Sequence, residues 1–264
     1  MMKARDVEHY LQSLDGGWVN RERTVDTFKA GDPDALLTGI AVGWMSYTWA
    51  LRRAHDLGCN LFITHEPTYY SHRDDDESFL RYEAVRAKRR FVEESGMIIL
   101  RCHDLWDQIR DIGIPDTWAQ QLGFGESIAG EGYYRVYDVS GQTAGMVAQD
   151  VARHTQSLGQ DTVQLIGPSE KPVSRVAIGT GALTPLCHFL DVYHVDLAIC
   201  TDDGLTYWRD GALAIDMGIP VVVVNHAVSE VRGMQTLADH LARQFPQTAV
   251  HYIPQSCMFQ LVRG

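Results

Sequence analysis

Short, continuously apolar runs alternate along the chain with longer stretches whose apolar residues recur every three or four positions. The first half reads "LLTGIAVGW" at 36–44, a helical pattern to about Leu57, "NLFIT" at 60–64, a long helical pattern from about Glu77 to Glu94, and "MIILR" at 97–101. The order is βαβαβ. It returns after residue 172 with "VSRVAIG", a helix to about Tyr193, "VDLAIC", a helix across "YWRDGALAIDMG", "PVVVV" at 220–224 and a helix from about Ser229 to Arg243. Strands without polar alternation are covered on both faces, as in a sheet flanked by helices, so the pattern predicts an α/β fold. Its two similar βα lobes span 1–124 and 171–264. Between them, 125–170 reads as a small strand-helix-strand insertion, "YYRVYDV", "TAGMVAQDVARHTQSLG" and "TVQLIG".

Composition narrows the function. At 264 residues, 45% hydrophobic and 22% charged, the chain can bury a substantial core. Its net charge of -11 argues against nucleic acid or an anionic membrane surface as partner, because both are held by Lys and Arg on phosphates. An anionic substrate would need a local positive centre. No apolar run approaches the ~20 residues of a membrane span, and "MMKARDVEHYLQSL" has the spacing of an amphipathic helix rather than a signal peptide, so a cytoplasmic protein is expected. The five cysteines are scattered without a CxxC pair and read as reduced, mostly core residues. "DDDE" at 74–77 reads as acidic compensation where a helix begins, and "RAKRR" at 86–90 as a solvated helix face.

In open α/β sheets, ligands bind beyond the carboxyl ends of the strands. Three strands end in metal-ligating types: His65 and Glu66 after "NLFIT", His103, Asp104 and Asp107 in "CHDLWD", and His226 and Glu230 in "NHAVSE". The i, i+4 spacing of His226 and Glu230 puts both on one face of a helix that begins near His226. Imidazole and carboxylate without cysteine form a borderline-to-hard set that suits zinc, iron or manganese. Taken singly, each residue has a bland reading as a hydrogen-bonded turn histidine or a helix-start carboxylate. "HEP" is not a zincin HExxH, since Pro67 opposes the helix, and Cys102 beside His103 is a poor nucleophile–base pair. "GTGAL" at 179–183 reads as a tight strand-to-helix turn, with phosphate binding at its amides the alternative. Tyr69 and Tyr70 read as core or interface residues.

The combination "GDPDALLTGIAVGW…LGCNLFITHEP", "IILRCHDLWD" and "VDLAICTDDG…ALAIDMGIPVVVVNHAVSE" resembles the NGG-interacting-factor-like family, also called the YbgI type or GTP cyclohydrolase I type 2 homologues. The likeness covers roughly 30–124 and 172–253. It implies two α/β lobes packed around a dinuclear metal site and a toroidal homohexamer. The family's His-His-Pro falls on His65 and Glu66, its His-Thr-x-x-Asp on His103 to Asp107, and its His-x-x-x-Glu on His226 and Glu230. The resemblance thus makes His65, Asp107, His226 and Glu230 ligands, puts Glu66 at a ligand position, and gives His103 the role of orienting Asp107 or moving a proton. Glu66 departs from the family's second histidine. A third carboxylate makes the centre less electrophilic and favours a harder ion, or one ion held tightly instead of two. Gly43-Trp44 also departs, where relatives often end the strand in Asp. The expected function is a metal-dependent hydrolase with one or two divalent ions and a small phosphorylated or nucleotide-like substrate; the alternative is a non-catalytic metal-binding or regulatory ring.

Overall fold

In the computed structural model, which describes residues 2–262, the chain divides into two compact units. One runs to Ile109 and includes Met234–Gln255; the other comprises Arg110–Gly233 and the residues from Ser256. The strands are β1 Phe28–Ala30, β2 Ile40–Gly43, β3 Leu61–Thr64, β4 Ile98–Arg101, β5 Arg135–Thr143, β6 Gln164–Ile166, β7 Pro172–Ile178, β8 Leu197–Thr201, β9 Val221–Val224 and β10 Val250–Tyr252. The helices are α1 Ala4–Ser13, α2 Thr48–Asp56, α3 Glu83–Ser95, α4 Ile114–Gln121, α5 Ala144–Thr155, α6 Leu186–Tyr193, α7 Ala212–Met217 and α8 His226–Gln244.

The first unit holds a five-stranded sheet in the order β1-β4-β3-β2-β10. β10, β2, β3 and β4 are parallel, with Ile40 opposite Leu61 and Leu61 opposite Ile98, and β1 closes one edge antiparallel to β4. Aligned registers bring the carboxyl ends of β2, β3 and β4 to one edge, which is where His65, Glu66 and His103 follow. Every residue of these three strands is buried, which explains their unbroken apolar runs. Ala41, Phe62 and Ile99 pack with Leu51 and Ala54 of α2 and Val92 of α3. Among the described residues, no helix is long and apolar enough to cross a membrane.

The second unit repeats the plan with the order β5-β7-β8-β9-β6. Alternate residues of its parallel strands feed opposite layers. Ile178, Ile199 and Val222 pack with Val147 and Val151 of α5, while Ala177, Ala198 and Val221 pack with Leu186 and Phe189 of α6. Residues 125–170 contain β5, α5 and β6, the strand-helix-strand order read from the sequence, and both strands are hydrogen-bonded into this sheet as its antiparallel edges. Antiparallel edge strands tolerate a solvated face, and β5 alternates buried with exposed positions beyond Tyr137.

Two local expectations are corrected. The helical pattern at 77–94 is a 3-10 turn, Glu77–Arg81, followed by α3, because Tyr82 is extended at ψ 130°. Asp76 caps the turn by accepting from the Ser78 amide at 2.8 Å. "RAKRR" is not wholly a solvated face. Arg86 and Arg90 are exposed and pair with Glu83, but Lys88 shares the inward face of α3 with Val85 and Val92 and is 2% exposed. Its Nζ donates to the Thr68 carbonyl at 2.6 Å, and burial, resisted only by Asp74, lowers its pKa to about 8.

Gly31, just after β1, has φ +81°, and a Cβ there would lie 2.7 Å from the Ile98 Cα and the Met97 carbonyl oxygen. Backbone cannot move aside as a side chain can. Gly31→Ala is therefore expected to destabilise the first unit by about 2 kcal/mol or more, read as a lower urea midpoint with unchanged slope.

Candidate metal centre

His65, Glu66 and Asp107 belong to the first unit and His226 and Glu230 to the second. In the first, the amides of His65 and Glu66 both donate to the Trp44 carbonyl, at 3.0 and 2.9 Å, which fixes the tip of β3 against the end of β2. The Thr64 hydroxyl adds a bond to the Glu66 carbonyl at 3.0 Å. The strand has already ended at Thr64, and Pro67 follows in the loop. The turn is polar at His65 without facing water, since His65 is 0% exposed.

The His65 Nδ1 lies 3.1 Å from the Cys102 carbonyl oxygen. A carbonyl only accepts, so Nδ1 carries a proton and Nε2 is the ring nitrogen left for another partner. That nitrogen is 3.5 Å from Asp107 Oδ1, and the His103 ring stacks on His65 with centroids 4.4 Å apart. His65, His103 and Asp107 offer ligand atoms that all lie within 4.8 Å of one another. Glu66 stands beside them with one oxygen also within 4.8 Å of a His65 ring nitrogen, and its Oε2 is 3.8 Å from Nη2 of the buried Arg101.

The loop carrying His103 and Asp107 is built on a residue the sequence did not single out. Asp26, just before β1, accepts from the amides of His103, Asp104 and Leu105 at 2.6, 2.9 and 2.8 Å. Burial first, and then Asp104, raises the Asp26 carboxyl above its usual range. The His103 Nδ1 donates to Asp104 Oδ1 at 2.9 Å and lies 3.4 Å from Asp107 Oδ2. Burial works against the Asp104 anion, yet the hydrogen bonds from His103, Thr24 and the Val25 amide outweigh it and hold that carboxyl well below its ordinary value. Cys102 is sealed in, and burial followed by the charges of Asp26, Asp107 and Asp104 pushes its thiol well up, so it serves no nucleophilic role. Tyr69 is 8% exposed with Arg89 over its ring at 4.7 Å, a packed position, whereas Tyr70 is half exposed.

In the second unit α8 begins at His226, so the i, i+4 spacing brings His226 Nε2 to 3.0 Å from Glu230 Oε2. The His226 Nδ1 donates to Asp203 Oδ2 at 2.7 Å, which fixes the ring with Nε2 turned toward Glu230. Burial alone would raise Asp203, but the His226 bond and charge and the Thr201 hydroxyl bring it below its usual value. Asp202 accepts from the His226 amide and the Asn225 side chain, both at 2.9 Å. Asp202 and Asp203 follow β8 and obey the same strand-end rule as the predicted ligands, so the signal for them was present. Gly181 has φ +45°, and a Cβ there would lie 2.5 Å from His226 Nε2 and collide with Glu230 Oε1. "GTGAL" is the tight turn, closed by the Leu183 amide on the Thr180 carbonyl at 2.8 Å.

In the first unit His65, His103 and Asp107 offer a donor set that could hold a metal ion. Two imidazoles locked by Nδ1 bonds, each with Nε2 directed at a carboxylate oxygen, are the arrangement in which a histidine's outer bond fixes tautomer and ring for metal ligation.

Comparison with solved structures places the whole chain on a known fold. Protein SA1388 of Staphylococcus aureus matches with a TM-score of 0.77 at 14% identity, covering 99% of each chain. The protein ybgI, of unknown function, matches with 0.76 at 17%, covering 97% of this chain and 100% of that one. Reduced HcgD from Methanocaldococcus jannaschii matches with 0.69 at 18%, covering 98% of each. No curated protein matches the chain. Residues 2–257 match the family model Duf34/NIF3 (NGG1p interacting factor 3), and the chain belongs to that family.

Proposed function

We propose that the protein is a metal-dependent hydrolase acting on a small phosphorylated or nucleotide-like molecule, working as a homohexamer. The ligating groups are His65 and Asp107, with Glu66 beside them, in the first unit, and His226 and Glu230 in the second. The observation that supports this most is the His65 ring: Nδ1 is committed to the Cys102 carbonyl, and Nε2 faces the Asp107 carboxylate at 3.5 Å with both side chains at most 3% exposed. An imidazole nitrogen and a carboxylate oxygen held face to face away from water are both groups that a divalent cation takes as ligands.

A divalent zinc, iron or manganese ion would supply Lewis-acid polarisation of a phosphoryl or carbonyl oxygen and an activated water. The chain's own residues supply the rest. His103, 19% exposed, is the most reachable of the three clustered side chains in the first unit. With Nδ1 bonded to Asp104, its Nε2 is the atom that exchanges a proton with a leaving group. Asp26 holds the backbone that carries it.

The near-complete burial of His65 and Asp107 also favours a second reading, a non-catalytic metal-binding or regulatory protein with a closed coordination sphere. One experiment separates the two. Metal-loaded protein is given p-nitrophenyl phosphate and a panel of nucleotides, with and without chelator. Hydrolysis that stops with chelator, returns with one particular ion and falls about 100-fold in kcat in His103→Asn at unchanged metal content supports the hydrolase. An untouched panel removes that reading and leaves the second.

A further inference from the structure

Arg101 ends β4, in a strand buried on both faces, and its side chain is 0% exposed. Nε donates to the His65 carbonyl at 2.7 Å and Nη1 donates to the His72 carbonyl. Carbonyls orient a guanidinium but carry no net charge to balance it. Nη2 makes no hydrogen bond. The carboxylate of Glu66, 13% exposed, lies 3.8 Å from it. Glu66 is therefore within reach of both a fixed guanidinium and the His65 imidazole.

We propose that Arg101 is a positioning residue for the metal site: it fixes the His65 backbone and takes up the negative charge that Glu66 brings to a position where the family resemblance places histidine. This rests on the metal-binding reading above. A carboxylate paired with a guanidinium is neutral overall, as an imidazole is, so the pair presents a cation with the same net charge that a histidine would. Neither member suits the site alone. Without Glu66, a buried guanidinium faces the ion and repels it. Without Arg101, the carboxylate's full charge is free for the ion, while the His65 tip loses its brace. Restoring the family's histidine at position 66 should therefore weaken metal binding here, unless Arg101 is removed with it.

The test is a double-mutant cycle of Glu66→His, Arg101→Met and the double variant. Manganese chloride is titrated against a fluorescent chelator, and the metal-free proteins are melted in parallel. The expected result is a loss of about tenfold or more in manganese affinity for Glu66→His, most of it recovered in the double variant. Glu66→Gln, which keeps the shape and removes the charge, should lose affinity as Glu66→His does. The metal-free melts should show the same non-additivity, with the double variant more stable than Glu66→His. Tighter manganese binding by Glu66→His with Arg101 in place overturns the proposal, as does additivity in both measurements. If the wild type binds no metal, the functional reading fails, and the melts of the metal-free proteins still decide whether Arg101 and Glu66 are coupled.

Discussion

The wild-type chain is expected to melt roughly 5–10 °C higher when zinc or manganese is present at about 100 times its dissociation constant, and His65→Ala is expected to lose most of that gain. Both effects depend on one ring. His65 is fully buried, its Nδ1 is tied to Cys102, and Nε2 faces Asp107. Alanine removes the nitrogen and with it the group that orients the carboxylate, so affinity should fall by about 100-fold or more, the upper end of what loss of an orienting partner alone costs. The metal-free variant supplies the control. Deleting a buried ring lowers the baseline, but only the metal-dependent increment reports ligation. An equal increment in wild type and variant would remove His65 from the ligand set.

A second large effect is expected at an ion pair that the proposed ligand set does not include. Arg135, at the start of β5, is 0% exposed, and its guanidinium grips Asp116 of α4 with Nε to Oδ1 at 2.5 Å and Nη2 to Oδ2 at 3.0 Å. Asp116→Ala leaves that cation buried with only the Gly132 and Tyr134 carbonyls, which should cost about 3–5 kcal/mol. Adding Arg135→Met should restore part of the loss, because the charge departs with its partner. Burial works to raise the Asp116 carboxyl, but the Arg135 bond, the Asp111 amide and the charges of Arg135 and Arg110 outweigh it and lower it. Its contribution is therefore present above the ordinary carboxylate pKa and is lost as pH falls through the depressed folded value. Urea midpoints in wild type and variant should converge as the solution is made more acid than that ordinary value; a constant gap would show that the pair does not carry this pH dependence.

The elements legible in the sequence were those whose local signal coincided with tertiary burial. β2, β3, β4, β8 and β9 have apolar side chains on both faces, and no pattern other than a covered sheet explains them. β1 and β10 went unread because each is three half-buried residues, which take their pairing from a neighbour and not from their own composition. α4 was also missed; Pro115 in its first turn looks like a breaker until its position is known. At the candidate site, His226 and Glu230 were readable because helical spacing is a local rule. Asp26 was not, since an aspartate before a short edge strand has no signature. Its role depends on three amides 77 to 79 residues away. Arg101 was hidden for a related reason: at the end of an apolar run it reads as the strand's polar exit, whereas the fold closes over it.

Lys88 has a kinetic use. An amine with a pKa near 8 has a substantial neutral, nucleophilic fraction in mildly alkaline solution, yet this one is 2% exposed and held on the Thr68 carbonyl. Acylating reagents reach it only when α3 lifts from the loop beyond β3. The rate at which Lys88 is labelled is thus a clock for the local opening of that helix, ticking beside the strand tip that carries His65, and it needs no engineered residue.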